Sequence, residues 1–584
     1  MENYKNFQIG TIVWAYYLIE ADEDRMQRDI DLFKSYIPLK KAYLENHRGL
    51  IDVPQEKMRL AKAVFERNGI ETSGCITSTG LVGERKPSIF DTYCYTRKED
   101  RDAYVKIVEE LAEVFDEIIL DDYFFISCRC DKCIEAKGKR TWSEYRLDLM
   151  EDFSRVITKR AKEINPNMNF IIKYPNWYES WQETGYNPEK QKDIFDMVYT
   201  GTETREPVYS QQHLQRYHSF SMIRYMDNIA PGRNGGGWID PFGSEDNMNR
   251  WLEQANLTLL AGAKELMLFN FEEMLTNAVF PPLGKELYRI DKLVGMAGRS
   301  IGISVYEPYN GDGEDLLYTY LGMGGISFEP TPYFDETAPA IFVAESASVD
   351  KYIMTKLESY VRKGGTAVIT SGFMRSQYEN GIKDMTSLRF TGRHISAKEY
   401  FVNFRNHFEN YTYKGIEDIS FEVLSYKTNA SWADVSLVAG EYNFPILSED
   451  NYGDGRLFIL NIPDNFADLY KLPKDIWAAI GKVMSIGHEL YIASDEKINL
   501  FSYDNGIYGI QTYSARPTNA TIYVRKETLG IEDVESGVKV ETVVPMPLPS
   551  KWFDGCTVMP EDPEFAIDIS ITPGQLKFFR ILRP

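Results

Sequence analysis

Four carboxylate groupings stand directly behind short apolar runs in the first 280 residues. Asp121 and Asp122 follow Glu117-Ile-Ile-Leu120, and Glu203 lies in Thr200-Gly-Thr-Glu-Thr-Arg205. Asp240 follows Gly235-Gly-Gly-Trp-Ile239, and Glu272 and Glu273 follow Leu266-Met-Leu-Phe269. Carboxyl groups placed in this way can divide acid and base work: one delivers a proton, while the other attacks carbon or activates water. Aromatic residues are interleaved with them (Trp14, Tyr123, Trp177 and Trp238), together with polar Glu45, His47, Lys173 and Arg205. Flat rings beside carboxylates and hydrogen-bonding groups suit a sugar, which presents one apolar face and an edge of hydroxyls. An acid just past a strand also caps the helix that follows, so any single one of these has two equal readings. Four caps together are the poorer account. Neither a Ser/His/Asp order nor a metal-spaced histidine pair competes with the carboxylates.

These residues need a scaffold that brings the ends of many strands together. Eight β-rich runs are spaced by helical stretches: Ile9 to Trp14, Lys41 to Leu44, the run around Cys75 and Ile76, Glu117 to Leu120, Phe170 to Lys173, Met197 to Thr200, Gly235 to Ile239 and Leu266 to Phe269. Eight strand–helix repeats within about 300 residues are the arithmetic of a (β/α)8 TIM barrel, whose chemistry sits at the carboxyl ends of the strands. A doubly wound open sheet is disfavoured by its size and by the lack of a glycine-rich phosphate loop after the first strand. The barrel is expected over residues 1–301. A smaller α/β domain follows over 302–490, with a helix through Lys356 to Val361 and the run Gly364 to Thr370, and a β-sandwich over 491–584. Gly311-Asp-Gly313 and Leu321 to Gly325 read as turns, and His213 and His218 fall in a helical stretch.

The end of strand four, Asp121-Asp122-Tyr123, is followed within ten residues by Cys128-x-Cys130-x-x-Cys133 and then a helix. In this it resembles the glycoside hydrolase family 42 β-galactosidases, which end strand four in Asn-Glu-Tyr and carry a similar cysteine cluster. The resemblance implies a barrel, a glutamine-amidotransferase-like trimerisation domain and a small β-sandwich, in that order. It places Asp122 at the acid/base and Asp121 at the preceding Asn, with Asp240 at the nucleophile, each carboxylate shorter than the family's. The second domain lacks a cysteine after Ile369-Thr-Ser-Gly372, so it is expected to serve assembly. Barrel α-galactosidases suggest another pairing, with a nucleophile after strand four and an acid after strand six. The expectation is therefore Asp122 and Glu203 first, then Asp240 and Glu272. By analogy with the zinc-bearing members of family 42, Cys94, Cys128, Cys130 and Cys133 would hold a structural zinc; reduced thiols or a disulfide are the other readings.

The whole composition fits this picture. The 65 basic and 87 acidic side chains leave a net charge of −22 on 584 residues, which disfavours nucleic acid and anionic membrane partners. Aromatics make up 14% of the chain. There is no apolar run of about 18 residues and no basic-then-apolar leader at Met1, so a soluble, cytoplasmic protein is expected, or a periplasmic one if a leader has been removed. The sequence thus predicts a glycoside hydrolase that removes a terminal sugar, β-galactoside-type first, without a catalytic cofactor and as a homo-oligomer, dimer or trimer. An α-galactosidase-like activity, a uronide- or deoxysugar-specific one, and a carbohydrate-binding protein without turnover are the alternatives.

Overall fold

The computed structural model of the chain describes residues 2–80, 92–206, 214–402, 411–545 and 564–584. It divides into two compact units, Met1–Met296 and Ala297–Pro584. The expected His213 lies outside the described residues, while His218 opens the helix His218–Ile229.

In the first unit eight parallel strands, β1 (Gln8–Val13), β2 (Leu39–Arg48), β3 (Glu71–Ile76), β4 (Glu117–Leu120), β5 (Asn169–Tyr174), β6 (Met197–Gly201), β7 (Asn234–Ile239) and β8 (Glu265–Leu268), pair in sequence. β1 bonds to both β2 and β8, which closes the barrel. Parallel neighbours require crossovers, and the sequence supplies helices with one apolar face for them. The helix Glu23–Tyr36 begins where Asp22 accepts a hydrogen bond from the Arg25 amide at 2.8 Å, and it buries Met26, Ile30 and Phe33 on one side. The helix Trp142–Ile164 starts from a reciprocal capping box between Thr141 and Glu144.

The barrel is filled. Ile12, Tyr43, Cys75, Ile119, Ile171, Tyr199, Trp238 and Met267, one residue from each strand in turn, form a single buried cluster. Below it the Glu265 carboxylate accepts hydrogen bonds from the Tyr43 and Tyr199 hydroxyls at 2.7 and 2.8 Å. β2 is longer than its apolar run suggested, and its register against β3 is irregular between Glu45 and His47.

The second unit opens on a nine-stranded sheet. Five strands are parallel (Phe328–Thr331, Ile303–Tyr306, Ala340–Val343, Thr366–Thr370 and Gly455–Leu460), and the remaining four, which include the long hairpin Leu388–Val402 and Tyr411–Tyr426, are antiparallel. Residues beyond Leu490 form antiparallel sheets of four and five strands. Both sheets send side chains into one core that includes Ile492, Ile498, Ile510, Ile522 and Phe579, giving a β-sandwich. Among the described residues no helix is long and apolar enough to cross a membrane.

Candidate active site

Strand alternation puts the site directly above the filled layer. Side chains two residues further along a strand point to the same side, so Trp14, Glu45, Thr77, Asp121, Lys173, Asp240 and Phe269 rise from Ile12, Tyr43, Cys75, Ile119, Ile171, Trp238 and Met267. Glu203 stands four residues past Tyr199.

Lys173 is the centre of this ring. Its Nζ donates to Glu203 Oε1 at 2.8 Å, Asp122 Oδ2 at 3.1 Å and Asp121 Oδ1 at 3.3 Å. It also sits 3.8 Å from the centroid of the Trp238 ring. One ammonium cannot balance three carboxylates, and the surplus charge falls unevenly. Burial alone would raise Asp121, but the Lys173 ammonium and the Arg48 guanidinium outweigh it and hold that carboxyl below its ordinary value. Asp122 goes the other way: burial, with Asp121 and Glu203 adding to it against Lys173, pushes it up to about 7. Lys173 is held charged, because the pull of Asp122, Glu203 and Asp121 exceeds the cost of burial. In the loop after β6 Arg205 donates to Asp240 Oδ2 at 3.0 Å. Burial still raises Asp240, with Glu203 adding to the rise and Arg205 opposing it.

A cavity of about 520 Å³ opens beside this cluster, within the usual range for small-ligand sites. Trp14, Tyr123, Phe242, Trp251 and Phe269 supply aromatic wall, and Arg48, Asp240, Glu245 and Glu273 supply charge. Of the expected ring-holding residues, Trp14 and Tyr123 line this cavity and two others do not. Trp238 belongs to the filled layer, 2% exposed, and Trp177 packs edge-on against Phe125 and Tyr186 at 5.7 and 5.6 Å. Glu272 is also displaced from the site. It occupies the first turn of the helix Phe271–Thr276 and pairs with Arg25 at 2.6 Å, while its neighbour Glu273 reaches the cavity.

β2 contains the largest correction. The irregularity after Glu45 is a bulge, which reverses the alternation beyond it. His47 therefore leaves the barrel mouth, and its ring lies between the Asp52 carboxylate and the Thr79 carbonyl, 2.7 Å from each. Arg48 takes the inward place. Its Nε donates to Glu45 Oε1 at 2.9 Å, its Nη2 lies 3.8 Å from Asp121 Oδ2, and its guanidinium covers the Trp14 ring at 5.5 Å. Glu45 is fully buried and also accepts the Ala15 amide at 2.9 Å, so it anchors Arg48 rather than facing the cavity. Arg48, Thr77, Phe269, Phe242, Trp251 and Glu245 were not singled out from the sequence. Thr77 and Phe269 follow from the alternation rule once the inward residue of each strand is known; the others lie beyond a bulge, in a loop or on a helix.

The four cysteines gather as their spacing suggested. One sulfur from each of Cys94, Cys128, Cys130 and Cys133 lies within 4.8 Å of the others, and all four are free thiols. Cys94 is 3.4 Å from Cys133 and 3.9 Å from Cys130, and Cys130 is 3.7 Å from Cys133. A tetrahedral zinc with bonds of about 2.3 Å has sulfur–sulfur edges of about 3.8 Å, so the donor set fits that ion.

Comparison with known proteins agrees with this architecture. Residues 1–286 match the model of the family described as "Probable glycosyl hydrolase, catalytic domain", and residues 298–465 match that of "Uncharacterized protein SSO3021, second domain". The uncharacterized protein SSO3021 of Saccharolobus solfataricus is 29% identical over 300 residues, covering 46% of this chain and 50% of that one. The chain thus spans about half the length of the curated relative it matches. Among solved structures, a catalytic mutant of Gan42B, a GH42 β-galactosidase from G. stearothermophilus, superposes with a TM-score of 0.63 over 99% of each chain at 9% identity. The cold-adapted β-galactosidase of Rahnella sp. R3 gives 0.62 over 97% of this chain and 99% of that one at 11% identity. At such identities the likeness is one of fold, and it is the fold that the strand-four motif led us to expect.

Proposed function

We propose that the protein is a glycoside hydrolase that removes a terminal sugar in the cavity at the barrel mouth. In this reading Asp122 is the proton donor and Asp240 the second reacting carboxylate. The observation that carries it is the unequal exposure of the carboxylates. The Asp122 and Asp240 side chains are 20% and 12% accessible, whereas Asp121 and Glu203, at 4% and 2%, are sealed beneath Lys173. This reading puts Asp240 ahead of Glu203, the reverse of the order expected from the sequence. Asp122, pushed up to about 7, keeps a proton near neutrality to give to the departing glycosidic oxygen. As the bond from that oxygen to the anomeric carbon breaks, Asp240 either bonds to that carbon or takes a proton from the water that does. Trp14, Tyr123 and Phe269 offer faces to the ring. A cavity of about 520 Å³ suits a single terminal sugar better than a stretch of polymer, and β-galactosides are the first substrates to try, given what the two solved structures are named for.

The test is hydrolysis of α- and β-aryl glycosides by the wild type, Asp122→Asn and Asp240→Asn. The expected result is one favoured sugar, with losses of roughly 10²–10⁴-fold in each variant. Azide should restore the Asp240 variant by attacking the anomeric carbon itself to give a glycosyl azide, and the anomer of the sugar first released by the wild type distinguishes attack by Asp240 (retention) from attack by water (inversion). Undiminished hydrolysis in both variants would remove the assignment, and saturable sugar binding without hydrolysis would favour a binding protein.

The same reading gives Cys94, Cys128, Cys130 and Cys133 a structural zinc. It would tie the segment after β3 to the helix Asp131–Lys137 and takes no part in the reaction. One equivalent of zinc in the purified protein, lost together with several degrees of Tm on chelation, is the expected result; stability that is indifferent to chelator and metal would argue for plain thiols.

A further inference from the structure

Lys173 has three N–H donors, and three carboxylate oxygens accept them at 2.8, 3.1 and 3.3 Å. None is left for a sugar hydroxyl, so the substrate contact expected of this residue is not what the geometry provides. The shortest bond goes to Glu203. Glu203 Oε2, in turn, is buried and meets no hydrogen-bond partner among the described residues. It lies against Gly201, where a Cβ would come within 2.7 Å of it, and only a glycine lets it lie so close. Glu203 therefore has one strong interaction, and that interaction holds Lys173 over Trp238.

We propose that Lys173 and Glu203 are positioning residues, a fixed charge couple that decides which of the two adjacent acids after β4 carries the proton, and that Glu203 is not itself a reacting group. This rests on the reading of Asp122 as proton donor. Asp121 and Tyr123 from its own turn, Lys173 from β5, Tyr186 beyond it, and Glu203 and Arg205 after β6 act on Asp122, while Arg48 of β2 acts on Asp121 and Asp240 after β7 is tied to Arg205. Arg48 is committed to Glu45 and Arg205 to Asp240. Among the described residues Lys173 is left as the one cation bonded to Asp122, opposed by Asp121 and Glu203. The two partners therefore act on Asp122 in opposite directions. Removing the ammonium stabilises the protonated acid, and removing the Glu203 charge stabilises the carboxylate.

The experiment compares wild type, Lys173→Arg, Lys173→Met and Glu203→Gln in the full chain by two readouts: the pH profile of kcat/KM, and carbon NMR titration of labelled aspartate carboxyls, with Asp122 assigned through Asp122→Asn. Glu203→Gln should lower the pH at which Asp122 loses its proton by about 1 unit, and Lys173→Met should raise it by about 1 unit or more. Lys173→Arg should stay near the wild type, and KM should be nearly constant in Glu203→Gln. If Lys173→Met does not fold, the contrast between Lys173→Arg and Glu203→Gln carries the test. An Asp122 titration that is the same in every folded variant would overturn the proposal, as would activity lost at all pH values in Glu203→Gln with that titration unmoved. An inactive wild type whose Asp122 still shifts as described would remove the hydrolase reading and leave the charge couple standing.

Discussion

Asp121 and Asp122 are neighbours in sequence with opposite protonation behaviour, and the cause is the company each keeps. Asp121 is shared by Lys173 and the Arg48 side of the ring, while Asp122 is bonded to Lys173 and has two like charges nearby. The sign of the pH dependence follows. A donor must hold its proton, so kcat/KM should fall as pH rises through about 7, where Asp122 empties. On the acid side Asp240 must be ionised, and because its carboxyl is raised, that limb should lie above the ordinary aspartate range. A profile flat from pH 5 to 9 would contradict both assignments. Arg48 offers a stability test at the same scale. Its guanidinium is the cation bonded to Glu45, which has no contact with solvent. Arg48→Met leaves that charge buried and unpaired, at a cost of roughly 3 kcal/mol, to be read from urea melts. His47→Ala, which removes a ring outside the cavity, should barely alter KM.

At the scale of elements, the period-2 pattern of the strands does most of the placing. Leu120 and Ile118 face the helices and Ile119 faces the barrel, so Asp121 had to face inward. The same count brings up Trp14, Lys173 and Asp240, which is why these were legible in the sequence. The residues that escaped did so for local reasons. A bulge between Glu45 and His47 exchanges His47 for Arg48, and a one-residue insertion into a ladder leaves no mark in composition. Glu272 and Glu273 occupy adjacent places in one helical turn, about 100° apart around its axis, so only one could face the cavity, and nothing in the two identical side chains says which. Trp177 and Trp238 are aromatic in sequence and are packing in the structure. The layer beneath the site should be costly to disturb. Ile119→Ala removes buried side-chain volume from a close-packed ring and should lose about 2–5 kcal/mol of stability in urea unfolding. Because Asp121 rides on the same strand, kcat should fall as well; a stable variant with full kcat would show that the layer does not support the site.

At the scale of the molecule, the net charge of −22 continues into the site. Asp240, Glu245 and Glu273 line the cavity against Arg48, and the Arg48, Lys173 and Arg205 cations already serve Glu45, the β4 carboxylates and Asp240. An anionic sugar would therefore enter a field of its own sign. A uronide should be hydrolysed at least about tenfold more slowly, in kcat/KM, than the neutral glycoside of the same configuration, and added salt should narrow the gap by screening. Equal rates at low salt would mean that one of the three cations is released to the substrate. The sequence shows these cations but not their partners, which only the folded chain supplies.

The eight side chains that fill the barrel also set the traffic through it. A plugged cylinder gives the proposed hydrolase one door, so a sugar freed at the mouth would depart by the route its parent used. Free product and fresh substrate would then compete for the same vacancy, and accumulating sugar should raise the apparent KM while leaving the maximal rate intact.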